Sequence, residues 1–338
     1  MWPISTETPG ESRAAIRLAI GVTVAAAVVL LLDVSVPAML PLFVGVLLRP
    51  GTKPLPMKVA VILVLITYFA FSLGRYATDI LLVSPGILLL VSTWLIYLCY
   101  YANAAGVHSV IVTLSLLAVL TVPFAGTVSL SVAHVLARSM TILIGASVAI
   151  SFLVHGLLPA QADEVAPAPG AHGLKESPLG CHRRALKTTL VVAPVAWGYF
   201  FFGSFDYIMA LIYIGLVMLT ANPDEGATKG QNWIAANTLA GFVSVVLVLV
   251  GMVVDSPVFA MLVLFLVALM FGRSMAANAR MRGPLGDAFS AILLVVTSEN
   301  AIAEVTTRLT QILLVIAYAA LMFNALGPER VPTRTRVA

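Results

Sequence analysis

Residues 80–137 read ILLVSPGILLLVSTWLIYLCYYANAAGVHSVIVTLSLLAVLTVPFAGTVSLSVAHVLA, 58 residues without one Lys, Arg, Asp or Glu. A membrane-spanning helix needs roughly 20 mostly apolar residues, so this run holds two spans. They fall at Ile80–Tyr101 and Gly106–Ala125, parted by the small polar segment Ala102–Ala105. Charge-free runs continue on both sides, at 18–32, 34–48, 59–74 and 139–162, then at 188–205, 207–223, 230–254, 256–272, 288–298 and 309–328.

The 338 residues are 60% hydrophobic and only 10% charged. Soluble domains carry about a quarter charged residues, so a chain this poor in charge has lipid as its solvent. The expected fold is an all-α polytopic membrane protein with about twelve transmembrane helices. The spans are 13–32, 35–48, 57–77, 80–101, 106–125, 132–157, 183–202, 206–220, 231–253, 257–274, 286–298 and 303–325. Those at 35–48 and 286–298 are short for a full crossing and read as tilted, broken or re-entrant.

The net charge of +4 would suggest nucleic acid only if the basic residues formed a patch. They follow the spans instead. With the N-terminus in the cytoplasm, sixteen basic residues fall inside, among them Arg13, Arg17, Arg49, Lys58, Arg183, Lys187 and Arg282; only Arg75, Arg138 and Arg308 fall outside. That asymmetry is the positive-inside pattern, with both termini cytoplasmic. Residues 1–12 lack the basic stretch of a cleaved secretory signal, so the first span is expected to be retained. Both cysteines, Cys99 and Cys181, fall on the inner, reducing side, where no disulfide is expected.

An internal repeat appears at an offset of 170 residues. RAAIRLAIGV from Arg13 aligns with RRALKTTLVV from Arg183, and Gly45 then meets Gly215. The same offset sets VLARSMTILIGA opposite VTTRLTQILLVI, with Arg138 facing Arg308. The chain therefore divides into a cytoplasmic tail 1–12, a six-helix repeat 13–158, a Pro- and Gly-rich cytoplasmic linker 159–182, a second six-helix repeat 183–328 and a tail 329–338. An even number of spans per repeat makes the two halves parallel, related by an axis along the membrane normal.

No phosphate-binding GxxxxGK[ST] loop, HExxH, CxxC or GxSxG pattern occurs, so neither ATP hydrolysis nor another enzymatic activity is expected, and no cofactor or metal. The candidates are ionisable and helix-breaking residues at membrane depth, which are costly in hydrocarbon unless they have a task. Arg138 and Arg308 each lie about two turns inside the outer end of a helix that starts outside, so the helix dipole adds to their field. Two guanidinium groups so placed suit an anionic substrate, since each holds a carboxylate in bidentate fashion. The structural alternative pairs Arg308 with Glu304 at i−4, where Arg138 has His134 instead.

Glu304, Asp255, Asp79 and His134 are the candidates for proton coupling. Asp33, Asp206 and Glu299 read as solvated helix ends, and His108 as a packed polar residue. Pro37 and Pro41 in the second span, and Pro85 in Ser84–Pro85–Gly86, break regular helices, as happens near transporter pathways; kinks that merely improve packing are the alternative. Trp94, Tyr97, Tyr100 and Tyr101 at one helix end, and Trp197 with Tyr199 at another, read as interfacial belts.

The RAAIRLAI opening, the Pro-broken second helix, the basic RPGTKPLPMK loop after it, and ARSMTILIGA with its early Arg, echoed by TTRLTQILLV, resemble the fusaric acid resistance and aromatic acid exporter superfamily. The resemblance covers nearly the whole chain, although no large cytoplasmic domain is present. It implies a bacterial inner-membrane protein that exports aromatic or other organic acids beside a periplasmic membrane-fusion adaptor, with Arg138 and Arg308 as the family's early arginines. The expected function is thus a proton-driven secondary efflux transporter for small organic anions, embedded in lipid, compatible with a homo-oligomer and without a nucleic-acid partner. An organic-anion channel, and a non-transporting membrane enzyme or assembly scaffold, are the alternatives.

Overall fold

The computed structural model describes residues 9–32, 36–52, 54–107, 109–160, 178–202, 208–219, 223–253, 256–279, 281–296 and 301–326. Their regular structure is entirely helical. In chain order the helices are α1 (Pro9–Leu32), α2 (Met39–Leu47), α3 (Met57–Leu81), α4 (Pro85–Ala104), α5 (Ser109–Val128) and α6 (Leu130–Leu157), then α7 (Pro178–Phe202), α8 (Ile208–Val217), α9 (Pro223–Val253), α10 (Pro257–Ala277), α11 (Arg282–Val296) and α12 (Ala301–Leu326). Among the described residues, α1, α3, α4, α5, α6, α9 and α10 are long and apolar enough to cross a membrane. The architecture is that of an all-α polytopic membrane protein.

Each expected span has its helix, with instructive differences in length. Among the described residues, the segment 35–48 holds nine helical residues, α2, and 206–220 holds ten, α8. At 1.5 Å per residue these rise roughly 14–15 Å, about half of a hydrocarbon core. α9 starts at Pro223, eight residues before the apolar run at 231, because a Pro at the first turn costs the helix no hydrogen bond and PDEG supplies an acidic start. α4 and α10 begin alike: Ser84 and Ser256 are non-helical, at φ −125° and −137°, and Pro85 and Pro257 follow as the first helical residues.

The outer faces are apolar, as a lipid solvent requires. Leu65, Phe69 and Leu73 on α3, and Val258, Leu262, Leu266 and Met270 on α10, recur at helical spacing and are all exposed. Several small polar side chains inside the bundle find partners on their own helices. Buried Thr67, Thr78, Ser147 and Thr189 each donate to the carbonyl four residues earlier, at 2.8, 2.7, 2.6 and 2.8 Å. Where no hydrophobic force distinguishes helix from lipid, close backbone approach drives association. A Cβ on Gly272 in α10 would lie 2.9 Å from the Ala15 Cα in α1, and one on Gly74 in α3 would sit 3.2 Å from Val122 in α5.

Helices pair in a fixed pattern. α1 packs along α10, and α4 along α7; α3 lies against α5 and α6, and α9 against α11 and α12; α2 touches α6 and α11, and α8 touches α12 and α5. Gly45 in α2 faces Phe289 and Leu293 of α11, while Gly215 in α8 faces Leu116 and Leu120 of α5.

Helix ends gather into two sets. On one side the Arg17 guanidinium donates to the Leu158 carbonyl at 3.4 Å, joining the start of α1 to the end of α6. The Asn103 amide donates to the Leu219 carbonyl at 2.9 Å, and Cys181 Sγ approaches the Ala104 carbonyl, joining the end of α4 to α8 and α7. Arg49, just after α2, pairs with Asp287 early in α11 at 3.2 Å. On the other side the end of α3 meets the start of α6 through Asp79 and His134, and the end of α5 where Thr78 abuts Gly126.

Candidate functional site

α2, α3, α5, α6, α8 and α11 surround a cavity of about 810 Å³. On α6 its lining runs from Ser131 to Ser147, and sixteen residues span roughly 24 Å of helix axis. The cavity is therefore a slot along the bundle rather than a compact pocket. Its volume falls within the roughly 300–1,000 Å³ of small-molecule sites.

The half-length helices build much of it. Val36, Met39, Leu42, Phe43, Val46 and Leu47 come from α2 and the turn before it, and Ile208, Ile212, Tyr213 and Leu216 from α8. A helix that stops at half depth leaves space beyond its end, and Pro37 and Pro41 shape the start of α2: Pro37 is exposed in the preceding turn and Pro41 is buried in the first helical turn. Pro85 is exposed at the start of α4, which does not contribute to the lining among described residues.

No Asp, Glu, Lys, Arg or His lines the slot among the described residues. Its polar groups are hydroxyls: Thr113, Thr121, Ser131, Ser147, Tyr213 and Ser290. Three of them use their protons within their own helices. Thr121 donates to Leu117 at 2.8 Å, Ser147 to Leu143 at 2.6 Å and Ser290 to Gly286 at 2.8 Å.

The charges cluster at one end. His134 Nε2 lies 2.5 Å from an oxygen of Asp79, whose other oxygen is 3.9 Å from Arg75 Nε. His134 and Asp79 are 45% and 31% exposed, so the pair lies outside the core, beside the lining residues Val132 and Val135 of α6. Two of the four proton-coupling candidates thus meet across α3 and α6. A carboxylate and an imidazole at this distance can share or pass a proton.

Arg138 is exposed one turn beyond His134 and outside the lining, although Val135 and Leu136 beside it face the slot. Arg308 and Glu304 belong to α12, but their side chains lie outside the described residues, as do Asp33, His108, Asp206, Asp255 and Glu299 altogether. Sequence reasoning gave Arg75 no role; its i,i+4 relation to Asp79 was the available signal. It also read Tyr97 and Tyr100 as interfacial. Tyr100 is instead buried, donating to the Gly215 carbonyl at 3.0 Å, and the Tyr97 hydroxyl is 2.6 Å from His182 Nδ1, so these rings tie α4 to α8 and α7. Trp94 is exposed, as an interfacial residue would be.

Comparison of the chain with protein families, with curated proteins and with solved structures found no match.

Proposed function

We propose that this protein is a secondary transporter of the bacterial inner membrane, exporting small hydrophobic organic acids with both termini in the cytoplasm. The observation that carries the proposal is the long apolar slot between helices of half length, where interrupted helices leave a path at membrane depth. Its apolar walls suit the hydrophobic body of an aromatic acid. The Asp79–His134 pair serves as the proton-exchange site, and Arg138 beside it meets the carboxylate at the outer mouth.

The twelve helices are proposed to form two parallel six-helix repeats. Support comes from partner exchange: adding six to each helix number turns α1·α10 into α7·α4, α3·α5 into α9·α11, and α2·α11 into α8·α5, and all of these contacts are present. Gly45 and Gly215, matched by the 170-residue offset, each face the fifth helix of the other half. The cytoplasmic assignment is supported by the sixteen basic residues, since Arg17, Arg49 and Arg282 gather on one side of the bundle. Kinship with the aromatic acid exporters and a periplasmic adaptor partner remain part of the same proposal, carried by sequence motifs alone.

Proteoliposomes test it. Radiolabelled 1-naphthoic acid should exchange faster when unlabelled acid is present on the far side, whereas ohmic current without such stimulation would make the protein a channel. Arg138→Gln, and Arg308→Gln by the repeat, are expected to abolish export per folded transporter, and Lys to retain part of it, because Lys keeps the charge but lacks the bidentate fork. Full export by the double Gln variant would remove the arginines from the mechanism.

A further inference from the structure

The slot offers a ligand apolar walls, hydroxyl groups and, among the described residues, no charge. A hydroxyl has one proton and two lone pairs. Thr121 and Ser290 place their protons on carbonyls of their own helices, so each turns only lone pairs toward a guest, while Ser147, bonded the same way, is fully buried. A carboxylate is acceptor-only: at these hydroxyls it would meet lone pairs, the remaining hydroxyls of the lining are neutral donors, and no cation stands among the described lining residues to balance its charge. A molecule with an O–H or N–H would meet partners.

We infer that the slot binds its ligand uncharged: it takes hydrophobic molecules bearing a hydrogen-bond donor, including the protonated form of an organic acid and not its anion. This rests on the transport reading and names what the same site takes. The magnitudes favour it. Keeping an acid of ordinary pKa about 4.3 protonated at pH 7 costs a factor of roughly 500 in population. An isolated carboxylate in apolar surroundings costs far more, which is why such groups neutralise instead. Tyr213 is the single titratable side chain among the described lining residues, and Asp79, His134 and Arg138 stand outside the lining, toward one mouth. The charge of an acid is therefore handled beside the slot and its body within it.

Binding in nanodiscs, with empty discs subtracted for partitioning, separates the cases. The probes are 1-naphthoic acid, 1-naphthamide and N,N-dimethyl-1-naphthamide, each between pH 5 and 8. The amide should bind with a Kd independent of pH, while the apparent Kd of the acid rises about tenfold per pH unit as its neutral form is depleted. The dimethyl amide, which has no donor, should bind about tenfold more weakly than the amide. Thr121→Val with Ser290→Ala should erase that preference, and Val135→Trp, which fills the slot, should abolish binding of all three.

Binding of the acid that is flat with pH, or tighter than that of the amide, overturns the inference. So does binding that survives Val135→Trp in folded protein, or no binding above empty discs. If Val135→Trp does not fold, the Thr121/Ser290 pair decides the matter through the amide preference alone. Amide binding as expected without any exchange in proteoliposomes would instead leave the site standing and end the export reading.

Discussion

Asp79 and His134 are held together across two helices although neither is buried, and Arg75 stands on the far side of the carboxylate. Exposed ion pairs contribute only about 0–1 kcal/mol, so stability does not explain the arrangement. Asp79→Asn and His134→Gln should accordingly leave the thermal midpoint in detergent nearly unchanged while flattening the pH dependence of export. An unchanged pH profile in both variants would reduce the pair to a helix–helix contact. Arg17 shows the contrasting case: 4% exposed, it donates to the Leu158 carbonyl and fastens α1 to α6. A buried charge of that kind acts by holding its partner.

At the scale of elements, close backbone approach does the work that hydrophobic burial does in water. α1 and α10 meet where Gly272 lies over Ala15. Because the nearest atom to an added Cβ is backbone, no side chain can swing away, and Gly272→Val should destabilise the folded protein by about 1–3 kcal/mol, read as a lower melting temperature. Gly198 in α7 has open space around its Cα, so Gly198→Ala is the control expected to be neutral or slightly stabilising. Equal melting temperatures for the two variants would show that α1 and α10 do not pack as described. Where α2 ends against the start of α11 the contacts are crossed: Arg49 lies over Gly286 and pairs with Asp287, and Arg282 lies over Gly51, whose φ of +84° suits glycine.

For the whole molecule, the two sets of helix ends define which connections share a side, and the basic residues propose which side is the cytoplasm. A reporter fused at Ala171, in the linker between the proposed repeats, should be active as a cytoplasmic fluorescent protein and inactive as alkaline phosphatase. Phosphatase activity there would invert the scheme and remove the parallel relation of the halves. The exchange of partners between halves also places α2, α5, α8 and α11 together, and these four helices contribute most of the walls of the slot that are not supplied by α3 and α6.

What the sequence determined by itself is what depends on solvent and local pattern. Charge-free runs at spanning length, such as 80–137, dictate helices in lipid because an unpaired backbone is intolerable there, and the twelve helices lie where those runs lie. Asp79, His134 and Arg138 were visible as ionisable residues at helix ends for the same reason. The meeting of Asp79 with His134 was not, because 55 residues separate them and nothing local encodes a contact between α3 and α6. Nor did an apolar run disclose that α2 would end at Leu47. The slot belongs wholly to the tertiary structure. Its residues, among them Leu42, Val135 and Leu216, carry the same apolar signature as their lipid-facing neighbours, and only the packing of six helices decides which of them face a shared space.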